Sequence, residues 1–322
     1  MAKVPLSKLI KFYVRFTASY SAIGYSWRSL FWRAHRNDFR GQTWLVTGGS
    51  EGIGASAARQ AAEAGASVIC VARDPVKLEA FAQSVHSEIP IRYYTADFSK
   101  TRDVRALIGK LQQDGLAFDV LVDNVGIQKH QVVLTDEGLE TSFVTNILNH
   151  HILVQGLIQN GMLKEAATVV EVSSGGMYNH RMVPDDLNIT DPARYLGPRA
   201  YGLAKRAQVM LMSYWRDQQR HTQQKFYAMH PGWVDTASVN RSMPRFVAIL
   251  KRVLRDHDQG ADTIVYLARD RPDQRQPEAI WFDRKERRTH IYAHTPNPDI
   301  KPVDIVTWLD ACAAGIQLPQ KG

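Results

Sequence analysis

The chain has 322 residues, 44% hydrophobic and 22% charged, the mix of a globular protein with one large α/β domain or two small ones. Its two cysteines, Cys70 and Cys312, lack metal-ligand spacing, which excludes a disulfide framework and a zinc site; no apolar run reaches the roughly 18 residues of a spanning helix, and no secretory signal is present, so a cytoplasmic protein is expected. The net charge of +8 sits almost wholly in residues 1–40, where eight basic residues face one acid, Asp38, and the nearly neutral remainder excludes the basic domain face of a nucleic-acid binder.

Residues 1–40 read as a basic amphipathic extension. On a helical wheel Leu6, Leu9, Ile10, Tyr13, Phe16 and Tyr20 share one side, and Lys8, Lys11 and Arg15 the other. Such a helix suits peripheral contact with an anionic membrane surface, making the protein membrane-associated. It equally suits packing against the domain or a second subunit. A cleaved mitochondrial presequence is a third reading of the same basic, acid-poor stretch.

From Gly41 the pattern changes. QTWLVT, SVICVA, IRYYTA, DVLVDN, ATVVEVS and KFYAMH read as strands, with helical stretches such as GASAARQAAEAG and VKLEAFAQSV between them. Gly65 is placed to end the first of these helices. Strand–helix alternation predicts right-handed crossovers and a covered parallel sheet. The fold expected is α/β, a doubly wound parallel sheet of Rossmann type, as a single domain over 41–296 with an N-terminal helical extension. Residues 297–322 form a tail: a loop, a short helix and a loose end.

The first strand runs into TGGSEGIG, Thr47 to Gly54, and then a helix. Glycines there let the backbone turn sharply and approach a pyrophosphate at the helix N-terminus. The second strand ends VAR, with Ala72 where an acid for a ribose hydroxyl would stand and Arg73 next. An arginine suits a 2′-phosphate, so NADP(H) is the cofactor expected, although Asp74 could partly neutralise it. Asp97, after the third strand, is either an adenine contact or a helix cap. In RAYGLAKRAQ, Tyr201 and Lys205 lie one helical turn apart. A neighbouring ammonium lowers a phenol's pKa toward working pH, although the spacing alone also describes an ordinary helix surface.

TGGSEGIG, DNVG (Asp123–Gly126), SSGG (Ser173–Gly176), YGLAK and HPGWVDT (His230–Thr236) stand in the order of the short-chain dehydrogenases/reductases. The chain resembles that family over about residues 41–290. Within it, MHPGWVDT, WFDRK and the aromatic arm look like the dehydrogenase/reductase member 12 subgroup. The resemblance implies Tyr201 as catalytic acid/base, and Lys205 as the residue that lowers its pKa and holds ribose. It implies Ser174 on the substrate oxygen and Asn146 in the proton relay. It also implies a cofactor site of Thr47, Gly48, Ser50, Gly52, Ile53, Gly54, Arg73, Asp97, Phe98, Asn124 and Gly126. Pro231, Gly232, Val234 and Thr236 of the PGWVDT loop complete that site with Tyr201 and Lys205. A homo-oligomer pairing through the helices of Asn146 and Tyr201 is implied as well.

Two departures stand out. Asp123 replaces the first of the family's paired asparagines, and Val125 a small alanine. The stretch from Ser174 to Tyr201 is long and proline-broken, and Met177, Tyr178, Met182 and Tyr195 in it are expected either to roof a bulky apolar substrate or to be surface cover. His150 and His151 read as a packed or solvated pair, so no metal is expected, and DRKERRTH (283–290) reads as a solvated turn. Without a G-x-S-x-G elbow, Ser173, Ser174 and His180 do not suggest a hydrolase. The function expected is NADP(H)-dependent interconversion of a carbonyl and an alcohol on a medium-to-large apolar substrate. The alternative is a catalytically silent NADP(H)-binding sensor or scaffold at a membrane.

Overall fold

The computed structural model describes residues 16–33, 35–242 and 244–315. The wheel positions Leu6, Lys8, Leu9, Ile10, Lys11, Tyr13 and Arg15 lie outside them. The strands are β1 (Thr43–Thr47), β2 (Ser67–Ala72), β3 (Arg92–Thr95), β4 (Phe118–Asp123), β5 (Leu163–Val172), β6 (Lys225–Met229), β7 (Ile280–Phe282) and β8 (Lys285–Arg287). The helices are α1 (Ala22–Ser29), α2 (Gly52–Glu63), α3 (Pro75–Ser84), α4 (Thr101–Gln113), α5 (Asn149–Gln159) and α6 (Gly197–Gln218). They continue with α7 (Ala237–Ser242), α8 (Pro244–Leu250), α9 (His257–Asp270) and α10 (Pro302–Ala313).

The strands make one sheet in the order β3-β2-β1-β4-β5-β6-β7-β8. All neighbours are parallel except β7 and β8. Alternate residues of one strand enter opposite cores, as the two-residue strand period requires. Leu45, Ile69, Leu121 and Val169 join the core under α4, α5 and α6. Trp44, Val46, Val68, Cys70, Val120 and Val170 join the core under α2 and α9. Both faces are therefore covered, which is why these strands read as continuous apolar runs. The order reverses between β1 and β4, so a crevice opens beyond the carboxyl ends of those two strands.

The last two strands were not read from the sequence, and DRKERRTH is not simply a solvated turn. Asp283 and Arg284 take left-handed φ values of 50° and 59° and join β7 to β8 as a two-residue hairpin turn. Asp283 is 1% exposed and accepts Arg255 at 2.6 and 2.9 Å and Arg28 Nε at 2.6 Å. The same Arg255 Nε donates to Tyr20 O at 2.9 Å. Tyr20 itself is buried against His230, Trp233 and Phe282, with ring centroids 4.5, 5.8 and 5.0 Å away. Phe16 and Tyr20 thus face the domain.

The tail is also part of the fold. Ile305, Val306, Leu309 and Cys312 of α10 enter the larger core. Asp310 of the same helix accepts His151 Nε2 at 2.8 Å and Gln155 Nε2 at 3.1 Å. The α5–α6 face expected to pair copies is therefore covered there by the chain's own helix. Met177 and Met182 are buried in that core too. Tyr195 donates to Glu140 at 3.1 Å. These three side chains brace the long loop from inside and do not form an open roof. Tyr178 is buried too, but lines a cavity of about 340 Å³ at the arm seam with Tyr20, Arg28, Phe282 and Arg287. None of the expected site residues lines it, so it is separate from the cleft described next.

Candidate active site

Four of the segments expected to hold chemistry leave the carboxyl ends of strands. Gly48 follows β1, Asn124 and Gly126 follow β4, Ser174 follows β5, and Pro231 to Thr236 follow β6. Gly48 and Gly52 have φ of +64° and +65°, which a side chain would strain. A Cβ on Gly54 would stand 2.4 Å from Gly48 O and 2.6 Å from Asn124 Nδ2, so only glycine lets α2 sit this close to the turn. Thr47 is buried, and its Oγ1 accepts the amide of Asn124 at 2.9 Å. Asn124 Nδ2 donates back to Thr47 O at 3.1 Å, tying β1 to β4.

Glu51, the N-cap of α2, gives no side-chain cap, and no acid occupies the first turn. The first amides of the helix are therefore left for an external acceptor. Ser50 and Ile53 are half-buried beside this turn. The other nucleotide segment arrives from β6. Thr236 Cγ2 lies 3.7 Å from where a Gly52 Cβ would stand, so the PGWVDT loop faces the glycine turn. Val234 is buried and bridges to Arg255, and a Cβ on Gly232 (φ +83°) would strike that arginine's guanidinium at 2.4 Å. Pro231 O accepts from the same guanidinium at 3.2 Å.

Arg73 is exposed at the end of β2 and, among the described residues, makes no ion pair. Among the described residues Asp74 makes no ion pair with it. Its carboxylate caps α3, accepting Val76 N at 3.0 Å and Lys77 N at 3.2 Å ahead of Pro75 at the first helical position. Asp97 accepts Ser99 N at 2.9 Å and does not cap α4. The Phe98 side chain is buried edge-on to His150, which leaves its backbone as the part that can face a nucleotide. The glycine cradle and the uncapped helix start fit the pyrophosphate of a dinucleotide.

Two glycines show where the side chains expected to be catalytic meet. A Cβ on Gly176 would lie 3.6 Å from Ser174 Oγ and 3.7 Å from the Tyr201 ring. A Cβ on Gly126 would lie 3.4 Å from Lys205 Nζ and 3.6 Å from Asn146 Oδ1. Ser174 begins a short 3-10 turn and accepts Gly176 N at 3.2 Å. Tyr201 and Lys205 come from the first half of α6, with the ammonium 5.6 Å from the tyrosine ring centroid. Asn146 lies in a π-helical turn, Val144–Leu148, that leads into α5. Its side chain grips Ile127, accepting N and donating to O at 2.8 Å each. Its main-chain oxygen accepts Gln208 Nε2 at 2.7 Å.

The electrostatics depart from the sequence reading at one point. Burial holds the Tyr201 phenol above its ordinary pKa, and the Ser174 hydrogen bond opposes it. The expected lowering by Lys205 is not delivered by this geometry alone. Burial pushes the Lys205 ammonium down to about 8, opposed by Glu171 and then Asp123. Its Nζ donates to Val172 O at 2.8 Å. His150 is buried between Asp123 and Glu171, a group the sequence did not bring together. One signal was available: Glu171 is an acid flanked by Val169, Val170 and Val172 in the apolar half of its strand. Asp283 and Arg255 carried no such signal.

A family model described as short chain dehydrogenase matches residues 42–183. The chain is 35% identical over 255 residues to dehydrogenase/reductase SDR family member 12 of Bos taurus, covering 78% of this chain and 79% of that protein. It is 28% identical to retinol dehydrogenase 12 of Mus musculus, covering 71% and 73%. Among solved structures, an uncharacterized protein of Mycobacterium paratuberculosis superposes with a TM-score of 0.65 at 24% identity, covering 88% of this chain and 97% of that one.

Proposed function

The chain belongs to the short-chain dehydrogenase/reductase family of oxidoreductases, and on that premise we propose that it interconverts a carbonyl and an alcohol on a medium-to-large apolar substrate with NADP(H). The observation that carries the reading is the convergence of Ser174 and Tyr201 around Gly176, with Lys205 and Asn146 around Gly126. The dinucleotide, when bound, supplies or takes the hydride. In reduction Tyr201 gives its hydroxyl proton to the substrate oxygen, and in oxidation it takes that proton back. Ser174 Oγ holds the same oxygen with a fixed dipole. The positive charge of Lys205 favours the phenolate and holds ribose, and Asn146 fixes the backbone beside it. Arg73, with Asp74 drawn off as a cap, supports NADP(H). The likeness to a retinol dehydrogenase supports an apolar substrate.

The arm adds a second element. Ile23, Trp27, Leu30 and Phe31 are 61%, 66%, 74% and 72% exposed and follow helical spacing. With the basic arm around them they suit peripheral contact with an anionic bilayer. Among the described residues no helix is long and apolar enough to cross a membrane.

The test of the reaction is NADPH consumption with a panel of apolar aldehydes and ketones, beside Tyr201→Phe. Turnover by the wild type that drops about 1,000-fold or more in Tyr201→Phe, with NADPH binding kept, is expected. Equal turnover by both removes Tyr201 from the mechanism. No turnover with tight NADPH binding would favour the alternative, a dinucleotide-binding sensor or scaffold at a membrane.

A further inference from the structure

Beneath Lys205 lies a set of ionisable side chains that carbonyl chemistry does not itself use. Asp123 ends β4, Glu171 is next to last in β5, and His150 opens α5, and all three are fully buried. His150 Nδ1 lies 2.8 Å from Glu171 Oε1 and 3.3 Å from Asp123 Oδ2. From β1, Thr47 Oγ1 donates to Asp123 Oδ1 at 2.8 Å. From α6, Gln208 Nε2 lies 3.3 Å from the same imidazole nitrogen. The Phe98 ring closes the imidazole edge-on. Lys205, also from α6, is the charged group that acts on all three.

The charges must nearly cancel in so dry a place, because an uncompensated buried charge costs several kcal/mol. Two carboxylates and one ammonium do not cancel, but two carboxyl groups sharing one proton do. Glu171 Oε2 and Asp123 Oδ2 are both buried with no hydrogen-bond partner among the described residues, which favours a proton on one of the two carboxyls. Burial pushes the Asp123 carboxyl up to about 7 and the Glu171 carboxyl up to about 8, and pushes the His150 imidazole down. The neutral imidazole hydrogen-bonds Glu171 through Nδ1 and keeps the same nitrogen 3.3 Å from Asp123 Oδ2. Nδ1 and Oε1, 2.8 Å apart, are at hydrogen-bond length and closer than the roughly 3.3 Å between ligands tetrahedral about zinc, while Nδ1 and Asp123 Oδ2 stand 3.3 Å apart, so the metal content of the purified chain belongs to the test.

We propose that Asp123, His150 and Glu171 are positioning residues that share one proton and keep one negative charge between them, and that this charge holds Lys205 as an ammonium under Tyr201. The inference deepens the catalytic reading and rests on Tyr201 and Lys205 being the acid/base pair. The pH at which the tyrosine works would then be set from below the site, by residues that touch neither substrate nor cofactor.

The experiment is an NMR titration of ¹⁵N-lysine-labelled full-length protein, with the Lys205 Nζ signal identified by its loss in Lys205→Met. In the double variant Asp123→Asn with Glu171→Gln, which removes both carboxyls and with them the shared charge, Lys205 is expected to lose its proton about one pH unit lower than in the wild type. Either single variant leaves one carboxylate to carry the charge and is expected to move Lys205 much less. Should the double variant fail to fold, infrared spectroscopy of the wild type at neutral pH is read instead: a buried carboxylic-acid carbonyl band that disappears in Glu171→Gln or Asp123→Asn is expected. An unmoved Lys205 titration in the folded double variant, or a wild type without that band, overturns the proposal. Stoichiometric zinc in the purified chain, read by atomic emission, overturns it as well. The titration needs no substrate, so a silent Tyr201 and an uncoupled cluster give separate results.

Discussion

Arg73 shows how much one residue can decide, because its guanidinium stands exposed at the end of β2 with no ion pair among the described residues. Arg73→Ala is expected to weaken NADPH binding about 10- to 100-fold, the loss of a charge-assisted contact, and to leave NADH almost unchanged. Fluorescence titration with the two nucleotides checks this, and an equal loss for both would assign Arg73 no part in the preference. At this scale Tyr201 and Lys205 were legible, since their relation is set within one helical turn. Ser174 and Asn146 were legible only through the resemblance to known dehydrogenases, because two other strands and a π-helical turn carry them into place. Asp123 was noticed as a departure, but the residues it meets come from separate elements, and no local pattern encodes that meeting.

Among the elements, the six strands read from the sequence all form; β1, β2 and β4 are short apolar runs buried on both faces, whereas β3, at the sheet edge, is largely exposed. The β7–β8 hairpin escaped notice. Its turn places Asp283 and Arg284 in left-handed backbone without a glycine to mark it, and β8 pairs through only three residues. Yet that turn holds the ion cluster that clamps the arm. Asp283→Asn leaves Arg255 buried with a neutral partner, and a loss of about 3–5 kcal/mol is expected from urea unfolding. Limited proteolysis should also cut sooner between α1 and β1. A loss under about 1 kcal/mol would show that the pair only breaks even against its desolvation.

For the molecule as a whole, the question is which surface meets its surroundings. The wheel of the arm placed Phe16 and Tyr20 on an apolar side, and these two side chains dock on the domain. Ile23, Trp27, Leu30 and Phe31 remain outside. Full-length protein is expected to sediment with vesicles of phosphatidylserine and phosphatidylcholine, and Trp27→Ser with Phe31→Ser to lower the partition about tenfold or more. Equal recovery of both would remove the membrane from the account. The docked side has its own consequence. Tyr20 O accepts the amide of Trp233 at 2.9 Å as well as Arg255 Nε, so one carbonyl of the arm fastens the loop that runs to Thr236. Seating the arm and ordering that loop are then a single equilibrium, and linkage makes the influence mutual. Whatever the loop clasps tightens the arm, and tension applied at Trp27 is felt at the lip of the cleft.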